Sequence, residues 1–380
     1  MKILIAPDSF KGSLTAVEAA DAIERGIKRC MPHAETIKVP IADGGEGTMD
    51  SLLRSAEGRK IPVRVTGPLG LPVMAAYGLI PKGHIAIIEM AQASGITLIA
   101  REDLNPLMAT TYGTGELIKQ ALDDGCRQFI LALGGSATND GGAGMLQALG
   151  MRLLNQSGKE VSWGGGHLLE IHTIDDRNWD PRIAESQFLI ATDVQNPLIG
   201  PLGATHVFGP QKGATPEFVE QLETNMVAWA DLIALTTGVK LHDLTGAGAA
   251  GGICGACLAF FPSTIQRGID VVLAYTDIDR YLAEADLVIT GEGQIDEQTA
   301  SGKTPMGIAQ AAQQYGVPTI AFAGSVGSGI EQLYPHGILA VFSIMNGPKT
   351  LQQAMDQASS LLEYTVEQVM RTMTVFPRGR

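Results

Sequence analysis

The chain has 380 residues, of which 45% are hydrophobic and 18% are charged, and it carries a formal net charge of −13. These values are typical of a soluble globular protein with about two or three domains, because a domain usually spans roughly 100–200 residues. They disfavour nucleic acid and anionic lipid as partners, since both bind to basic surfaces and the chain has no run of lysines and arginines.

The sequence gives no sign of secretion, a membrane span or a structural metal. The opening stretch MKILIAPDSFKG has an apolar run much shorter than that of a signal peptide, and no apolar stretch approaches the roughly 20 residues of a membrane span. The cysteines are Cys30, Cys126, Cys254 and Cys257. Only the last two form a C-x-x-C motif, without a second pair or nearby histidine to complete a zinc site. So few cysteines suit a reducing compartment, and we expect a cytoplasmic protein. The sequence leaves the oligomeric state open, with monomer and homodimer both allowed.

A strand–loop–helix pattern recurs along the chain. Residues 2–6 predict a strand, and Thr15 with Glu18 forms a capping box at the start of a helix. Further strands are predicted at residues 37–42, 129–133, 286–290, 318–324 and 338–344, and a last helix from about 349 to 372. Strands that alternate with helices predict a parallel sheet with helices on its faces.

The middle of the chain follows a different pattern. Residues 61–90 hold short β-like runs between Gly/Pro turns, which predicts antiparallel strands, and residues 151–240 are irregular and rich in Gly, Asp and Asn. We therefore predict an α/β fold with a Rossmann-like parallel-sheet domain made of residues 1–60 and 266–380. A mixed α/β domain, residues 61–265, is inserted into it, and residues 106–150 could belong to either domain.

The loop GGSATNDGGAG, residues 134–144, is the best candidate for binding a phosphate. It follows a predicted strand, and ligands of open α/β sheets bind beyond the carboxyl ends of the strands. Its glycines allow close approach of the backbone and its hydroxyl and amide groups offer donors; the residues concerned are Gly134, Gly135, Ser136, Thr138 and Asn139. We expect the helix that follows to add free N–H groups. The loop contains no lysine, so Lys11 and Lys303 are expected to supply the positive charge.

Two other glycine patterns are weaker. Gly302-Lys303-Thr304 looks like the end of a P-loop, but Glu297 stands where the first glycine of a P-loop belongs. Residues 246–251 match G-x-G-x-x-G, yet only a feeble strand precedes them, so close packing on glycines is favoured over dinucleotide binding.

Several carboxylates follow apolar runs, as phosphoryl transfer would require. That reaction needs acids to hold Mg²⁺ and one acid to orient or deprotonate the attacking hydroxyl. The candidates are Asp43, Glu46, Asp193, Glu292 and Asp296. The histidines are scattered and Ser136 is not in a G-x-S-x-G motif, so a zinc enzyme or a hydrolase has little support. The residues by themselves indicate an α/β enzyme with anion-binding loops, of the class of Mg²⁺-dependent phosphotransferases.

Taken together, these loops resemble the bacterial glycerate kinases of type I, the glycerate 2-kinase group. The matching segments run in order over most of the chain: residues 5–16, 40–48, 88–96, 110–118, 133–145, 191–214, 246–252 and 286–305. The resemblance implies phosphorylation of D-glycerate by ATP with Mg²⁺, and two α/β domains with the active site in the cleft between them. It favours 2-phosphoglycerate as the product and leaves the 3-phosphate open.

These motifs suggest roles for individual residues. The expected catalytic residues are Asp193 as the base, Asp8 as its rival, and Lys11. The expected metal ligands are Asp43, Glu292 and Asp296. The expected substrate contacts are Arg64 or Lys212 for the carboxylate, and Asn196. A nicotinamide-dependent hydroxy-acid dehydrogenase and a non-catalytic anion-binding protein remain as alternative functions.

Overall fold

The structure is a computed structural model that describes residues 1–42, 44–45, 47–297, 299 and 303–375. Its contacts divide the chain into two compact units, here called the first unit (residues 1–43 and 267–380) and the second unit (residues 44–266). The inserted stretch therefore begins close to the loop at residues 43–47. These units are defined by contacts, and the predicted boundaries of the folding domains, at residues 60 and 266, stay a prediction.

Strands and helices are numbered along the chain. The strands are β1 Lys2–Ile5, β2 Glu35–Lys38, β3 Arg59–Thr66, β4 Pro72–Ile80, β5 Ile85–Glu89, β6 Gln128–Ala132, β7 Arg152–Leu154, β8 Thr173–Asp175, β9 Gln187–Ala191, β10 Ser263–Gln266, β11 Leu287–Ile295, β12 Thr319–Val326 and β13 Ile338–Ser343. The helices are α1 Ala16–Cys30, α2 Thr48–Ser55, α3 Ala91–Ser94, α4 Tyr112–Asp123, α5 Ala143–Ala148, α6 Ala204–Phe208, α7 Pro216–Thr237, α8 Ile253–Phe260, α9 Gly268–Tyr275, α10 Ile278–Leu282, α11 Thr304–Gln314, α12 Leu351–Asp356 and α13 Ala358–Val375.

The first unit is built on a parallel sheet with the strand order β13-β12-β11-β1-β2. The apolar strand β1 is buried because helices cover such sheets on both faces. Helix α1 begins at the predicted capping box of Thr15 and Glu18 and packs closely against α13, where a Cβ on Gly26 would meet the carbonyl oxygen of Glu363. The predicted Rossmann-like α/β architecture is confirmed in this unit.

Two strand ends in the first unit differ from the prediction. Strand β11 continues to Ile295, well beyond the predicted end at residue 290, so Glu292 lies in the strand and pairs with Ala323 rather than standing in a loop. Strand β2 ends at Lys38, whereas the prediction extended it to residue 42. Pro40 lies just beyond its end, and proline has no N–H to donate to a ladder.

The second unit is built on a mixed sheet with the strand order β10-β9-β6-β5-β4-β3. Strands β5, β6, β9 and β10 are parallel, and β3, β4 and β5 are antiparallel neighbours, as predicted for residues 61–90. Residues 106–150 lie in this unit, because their strand β6 pairs with both β5 and β9. The stacked rings of Phe129 in β6 and Phe188 in β9, with centroids 4.6 Å apart, join these two strands in the core.

The long helix α7 was not predicted, although its end signals can be read in the sequence. Thr215 caps its start by accepting from the N–H of Phe218, and Gly238 ends it with φ +79°.

The helices in the described part of the chain include none with the length and apolar character of a membrane span. Cys254 and Cys257 are free thiols buried in α8.

Candidate functional site

The loop that joins β6 to α5, residues 134–142, is here called the phosphate loop. It is held from the side by the turn after α3: the N–H of Ile96 donates to the oxygen of Gly135 (2.8 Å), and the N–H of Ala137 donates to the oxygen of Ser94 (3.0 Å). Gly135 has φ +74°, a conformation that favours glycine. These bonds fix the backbone of the loop directly after the buried strand β6.

The phosphate loop has backbone donors that no acceptor in the described part of the chain uses. The N–H groups of Gly134, Gly135, Ser136 and Thr138 donate to no acceptor among the described residues. Gly135 is exposed and Gly134 is half-buried, so an anion can reach this stretch of backbone. Successive N–H groups of this kind form an anion-binding concavity.

The start of α5 offers fewer donors than expected, and the prediction of free N–H groups there is wrong. Asp140 accepts from the N–H groups of Gly142 (3.2 Å) and Gly144 (3.3 Å), and the hydroxyl of Thr111 accepts from the N–H of Met145 (2.9 Å). The carboxylate of Asp140 therefore occupies the position that an outside anion would take. Asp140 is fully buried, and burial raises its pKa, while the hydrogen bonds that it accepts act in the opposite direction.

Lys212 lies under the phosphate loop. Its side chain is 1% exposed, and its Nζ donates to the hydroxyl of Ser136 (2.8 Å) and to the carbonyl oxygen of Thr138 (2.7 Å). Burial lowers the pKa of Lys212 to about 7, and the nearby charge of Asp140 acts to raise it. The ammonium group thus sits on the loop that carries no lysine of its own.

The glycine-rich stretch 246–252 forms the wall behind the phosphate loop. A Cβ on Gly251, whose φ is +69°, would lie 2.0 Å from the oxygen of Thr138, and the N–H of Gly141 donates to the oxygen of Gly251 (3.0 Å). Only glycine fits such an approach. The described residues 238–245, directly before this stretch, contain no strand, whereas a dinucleotide-binding motif needs one there. The interpretation as close packing on glycines is therefore confirmed.

Asn139 and Glu89 are two further buried polar residues near the phosphate loop. The amide of Asn139 donates to the hydroxyl of Thr205 (3.0 Å). Glu89, at the end of β5 beside Ala132, accepts from the N–H of Met49 (2.8 Å), and burial raises its pKa. Glu89 was not predicted as a site residue, although it closes the apolar run IAIIE in the same way as the acids that were.

In the first unit, Asp8 and Lys303 lie together at the start of α11. Asp8 is 4% exposed and accepts from the hydroxyl of Thr304 (2.7 Å) and the N–H of Ser9 (2.6 Å). Lys303 is the residue that precedes the helix. Lys11 is exposed in the loop after β1. This unit thus holds a buried carboxylate, an exposed lysine and a partly exposed lysine.

We expect Thr304→Val to lower the free energy of unfolding of the first unit by about 1–3 kcal/mol, because it removes a hydrogen bond to a buried carboxylate without changing the shape of the side chain. Thr304→Ser, which keeps the hydroxyl, should be near wild type. Amide hydrogen exchange of residues in β1 and β11 measures the change in this unit. Equal protection in both variants would contradict the prediction.

Two of the predicted metal ligands, Glu292 and Asp296, lie in the first unit, and the carboxylate of Asp296 accepts from Nε2 of Gln294 (2.7 Å). The hydroxyl of Thr299 donates to Glu292 Oε1 (2.8 Å) and accepts from the N–H of Asp296 (3.3 Å). The third, Asp43, lies outside the described residues, as does the candidate Glu46. The described part of the chain holds no group of three or more His, Cys, Asp or Glu residues that could bind a metal ion. Mg²⁺ usually takes one or two protein carboxylates together with substrate phosphates, so two carboxylates would be enough in number for such a site.

The remaining predicted residues belong to the second unit. Asp193 is half-buried, two residues beyond the end of β9, and Asn196 donates from Nδ2 to the oxygen of Leu202 (2.8 Å). Arg64 is exposed on the edge strand β3. Two strands separate β3 from β6, a distance of roughly 14 Å at about 4.8 Å per strand. The structure therefore brings Lys212, but not Arg64, to the phosphate loop.

Comparison with known proteins identifies a family for this chain. Residues 3–374 match the model described as the glycerate kinase family. The chain is 51% identical over 369 residues to the glycerate kinase of Bacillus subtilis (strain 168), with 97% of each chain covered. It is 45% identical over 354 residues to the glycerate 2-kinase of Escherichia coli (strain K12), with 93% of each covered.

A solved structure gives the same result for the fold. A crystal structure of a protein provisionally assigned as glycerate kinase 2, from Salmonella typhimurium LT2, superposes on this chain with a TM-score of 0.84. The two chains are 47% identical, and the match covers 98% of each.

Proposed function

This chain belongs to the glycerate kinase family, and on that premise we propose that it transfers the terminal phosphoryl group of ATP to the 2-hydroxyl of D-glycerate, giving 2-phosphoglycerate. The observation that carries the proposal is the phosphate loop, four of whose N–H groups have no acceptor among the described residues while a lysine bonds to the same loop. Such a loop suits the phosphates of a nucleotide.

Phosphoryl transfer depends on positioning and on neutralising charge more than on a strong base. We assign the N–H groups of Gly134 and Gly135 and the polar side chains of Ser136, Thr138 and Asn139 to the nucleotide phosphates. Lys11 and Lys303 are assigned to the phosphate oxygens. Asp193 is assigned as the group that orients or deprotonates the 2-hydroxyl, with Asp8 as the alternative.

Mg²⁺ is the expected partner of ATP, and it would neutralise phosphate charge when bound. Glu292 and Asp296 would hold it, together with Asp43. Thr299 bonds to the carboxylate of Glu292 and to the backbone N–H of Asp296, so these two residues share one neighbour. The substrate contacts proposed from the sequence are Arg64 or Lys212 for the carboxylate of glycerate, and Asn196. ATP as a co-substrate and four free thiols also suit a cytoplasmic location.

The test is turnover of ATP with D-glycerate and Mg²⁺, coupled to enolase without phosphoglycerate mutase. Enolase accepts the 2-phosphate and not the 3-phosphate, so we expect phosphoenolpyruvate to form as fast as ADP. Reactions without glycerate, and with the metal chelated, are the controls.

Each other outcome of this assay has a definite meaning. ADP formation without an enolase signal would assign the 3-position. No glycerate-dependent ADP at all would overturn the proposed activity. The chain would then be better described as an anion-binding protein.

A further inference from the structure

We infer that Lys212 supplies the positive charge of the phosphate loop and binds the nucleotide phosphates, rather than the carboxylate of glycerate. The inference rests on the proposed function and assigns one residue of its site. Its starting point is that the loop, which has N–H donors without an acceptor among the described residues, contains no cation in its own sequence. The ammonium of Lys212 contacts two residues of this loop from the buried side.

The hydrogen bonds of Lys212 leave part of its donor capacity unused. An ammonium group has three N–H donors. Two of them reach the hydroxyl of Ser136 and the oxygen of Thr138, and no further acceptor lies within hydrogen-bond distance among the described residues. The hydroxyl of Thr138, which is also buried, has no hydrogen-bond partner there either. The buried side of the loop therefore holds polar groups that a bound anion would satisfy.

The charge of Lys212 lacks a direct partner as well. Asp140 is the carboxylate that raises its pKa, but the oxygens of Asp140 are bonded to Thr111, Gly142 and Gly144. Within the described residues, no ion pair shorter than 4 Å involves Lys212. A buried cation without a counter-ion is costly, and an anion on the loop would compensate it. This favours phosphate, with its several charged oxygens, at the same place as the loop N–H groups.

The pH dependence of anion binding follows from the same geometry. With its pKa near 7, the ammonium is largely protonated below neutral pH and loses its charge above it. A bound anion raises that pKa, so binding takes up a proton, and affinity should fall as pH rises above about 7, by up to tenfold per unit. Besides Asp140, charged groups on neighbouring elements include Asp103, which is exposed and precedes the Leu104 that Gly213 packs against, and His206 with Glu223, whose Nδ1 and Oε2 lie 3.4 Å apart.

The experiment measures sulfate binding calorimetrically between pH 6 and 9, since sulfate does not titrate in this range. We expect Lys212→Met to weaken sulfate and ATP binding by about 10- to 100-fold at pH 6 and to abolish the pH dependence. The same variant should be at least as stable as wild type, because it removes an unpaired buried charge. Lys240→Met, at an exposed lysine of the same unit, should leave sulfate binding and its pH dependence unchanged.

The kinetic parameters separate the two assignments of Lys212. A rise in KM for ATP supports the inference, whereas a rise in KM for D-glycerate alone would return Lys212 to the substrate carboxylate and overturn it. A second test uses the wild-type protein alone and measures sulfate binding in two buffers of different ionisation enthalpy. The inference would also be overturned if sulfate affinity did not depend on pH and if binding took up no proton. If glycerate is not phosphorylated at all, the proposed function fails while sulfate binding still decides the role of Lys212.

Discussion

Asp140→Ala is expected to lower the free energy of unfolding of the second unit by about 3–5 kcal/mol. The carboxylate of Asp140 accepts from the N–H (2.8 Å) and the hydroxyl (2.9 Å) of Thr111 and from the N–H groups of Gly142 and Gly144. Its removal leaves several buried donors without an acceptor, each at a cost of about 1–3 kcal/mol. Local relaxation and water entry keep the total loss of unfolding free energy below the sum of these separate costs.

Urea unfolding followed by tryptophan fluorescence measures this change in the second unit specifically. All three tryptophans, Trp163, Trp179 and Trp229, lie in that unit. Trp229 reports on the phosphate loop itself, because its indole N–H donates to the oxygen of Gly141 (3.0 Å).

Two matched variants identify the cause of the loss. Asp140→Asn keeps one acceptor oxygen and should cost about 1–3 kcal/mol, clearly less than the alanine. Asp231→Ala removes an exposed acid that pairs with His242, and it should cost less than about 1 kcal/mol. If Asp140→Ala unfolds at the same urea concentration as Asp231→Ala, Asp140 does not hold the loop.

The sequence predicts those parts of the molecule that depend on local pattern. Apolar runs of strand length and the capping box at Thr15 depend on neighbouring residues, and the structure confirms them. The loop at residues 134–144 could also be found, because a ligand site at the end of a strand follows from the sheet itself.

The features that could not be predicted depend on contacts between distant segments. Lys212 reaches Ser136 across 76 positions, and nothing in the stretch PQKGA indicates a buried side chain. The sequence could not show that Asp140 would close the start of α5, since the same carboxylate could have been exposed to solvent. Nor does it show that Arg64 lies on an edge strand, because strand order is decided by the packing of the whole sheet.

Asp193→Asn and Lys11→Ala are each expected to lower kcat on the order of 10²-fold or more, which corresponds to about 2.7 kcal/mol of transition-state stabilisation. Asp193 follows β9, the parallel neighbour of β6, and the N–H of Leu133 donates to the oxygen of Ala191 (3.4 Å). The two strands therefore end at the same edge of the sheet, which places Asp193 and the phosphate loop on one side. Asparagine keeps the size of the side chain and removes its charge and basicity.

Initial rates of ADP formation with saturating ATP and D-glycerate measure this effect, since that readout does not depend on which hydroxyl is phosphorylated. Asp176→Asn, at an exposed acid of the same unit, should keep the wild-type kcat. If Asp193→Asn keeps its rate while Asp8→Asn loses it, the base is Asp8. If Asp193→Asn and Lys11→Ala both turn over like wild type with unchanged folding, the reaction takes place elsewhere. Electrostatic stabilisation supplies most of the rate in phosphoryl transfer, so removing a charge at the reacting site must lower kcat.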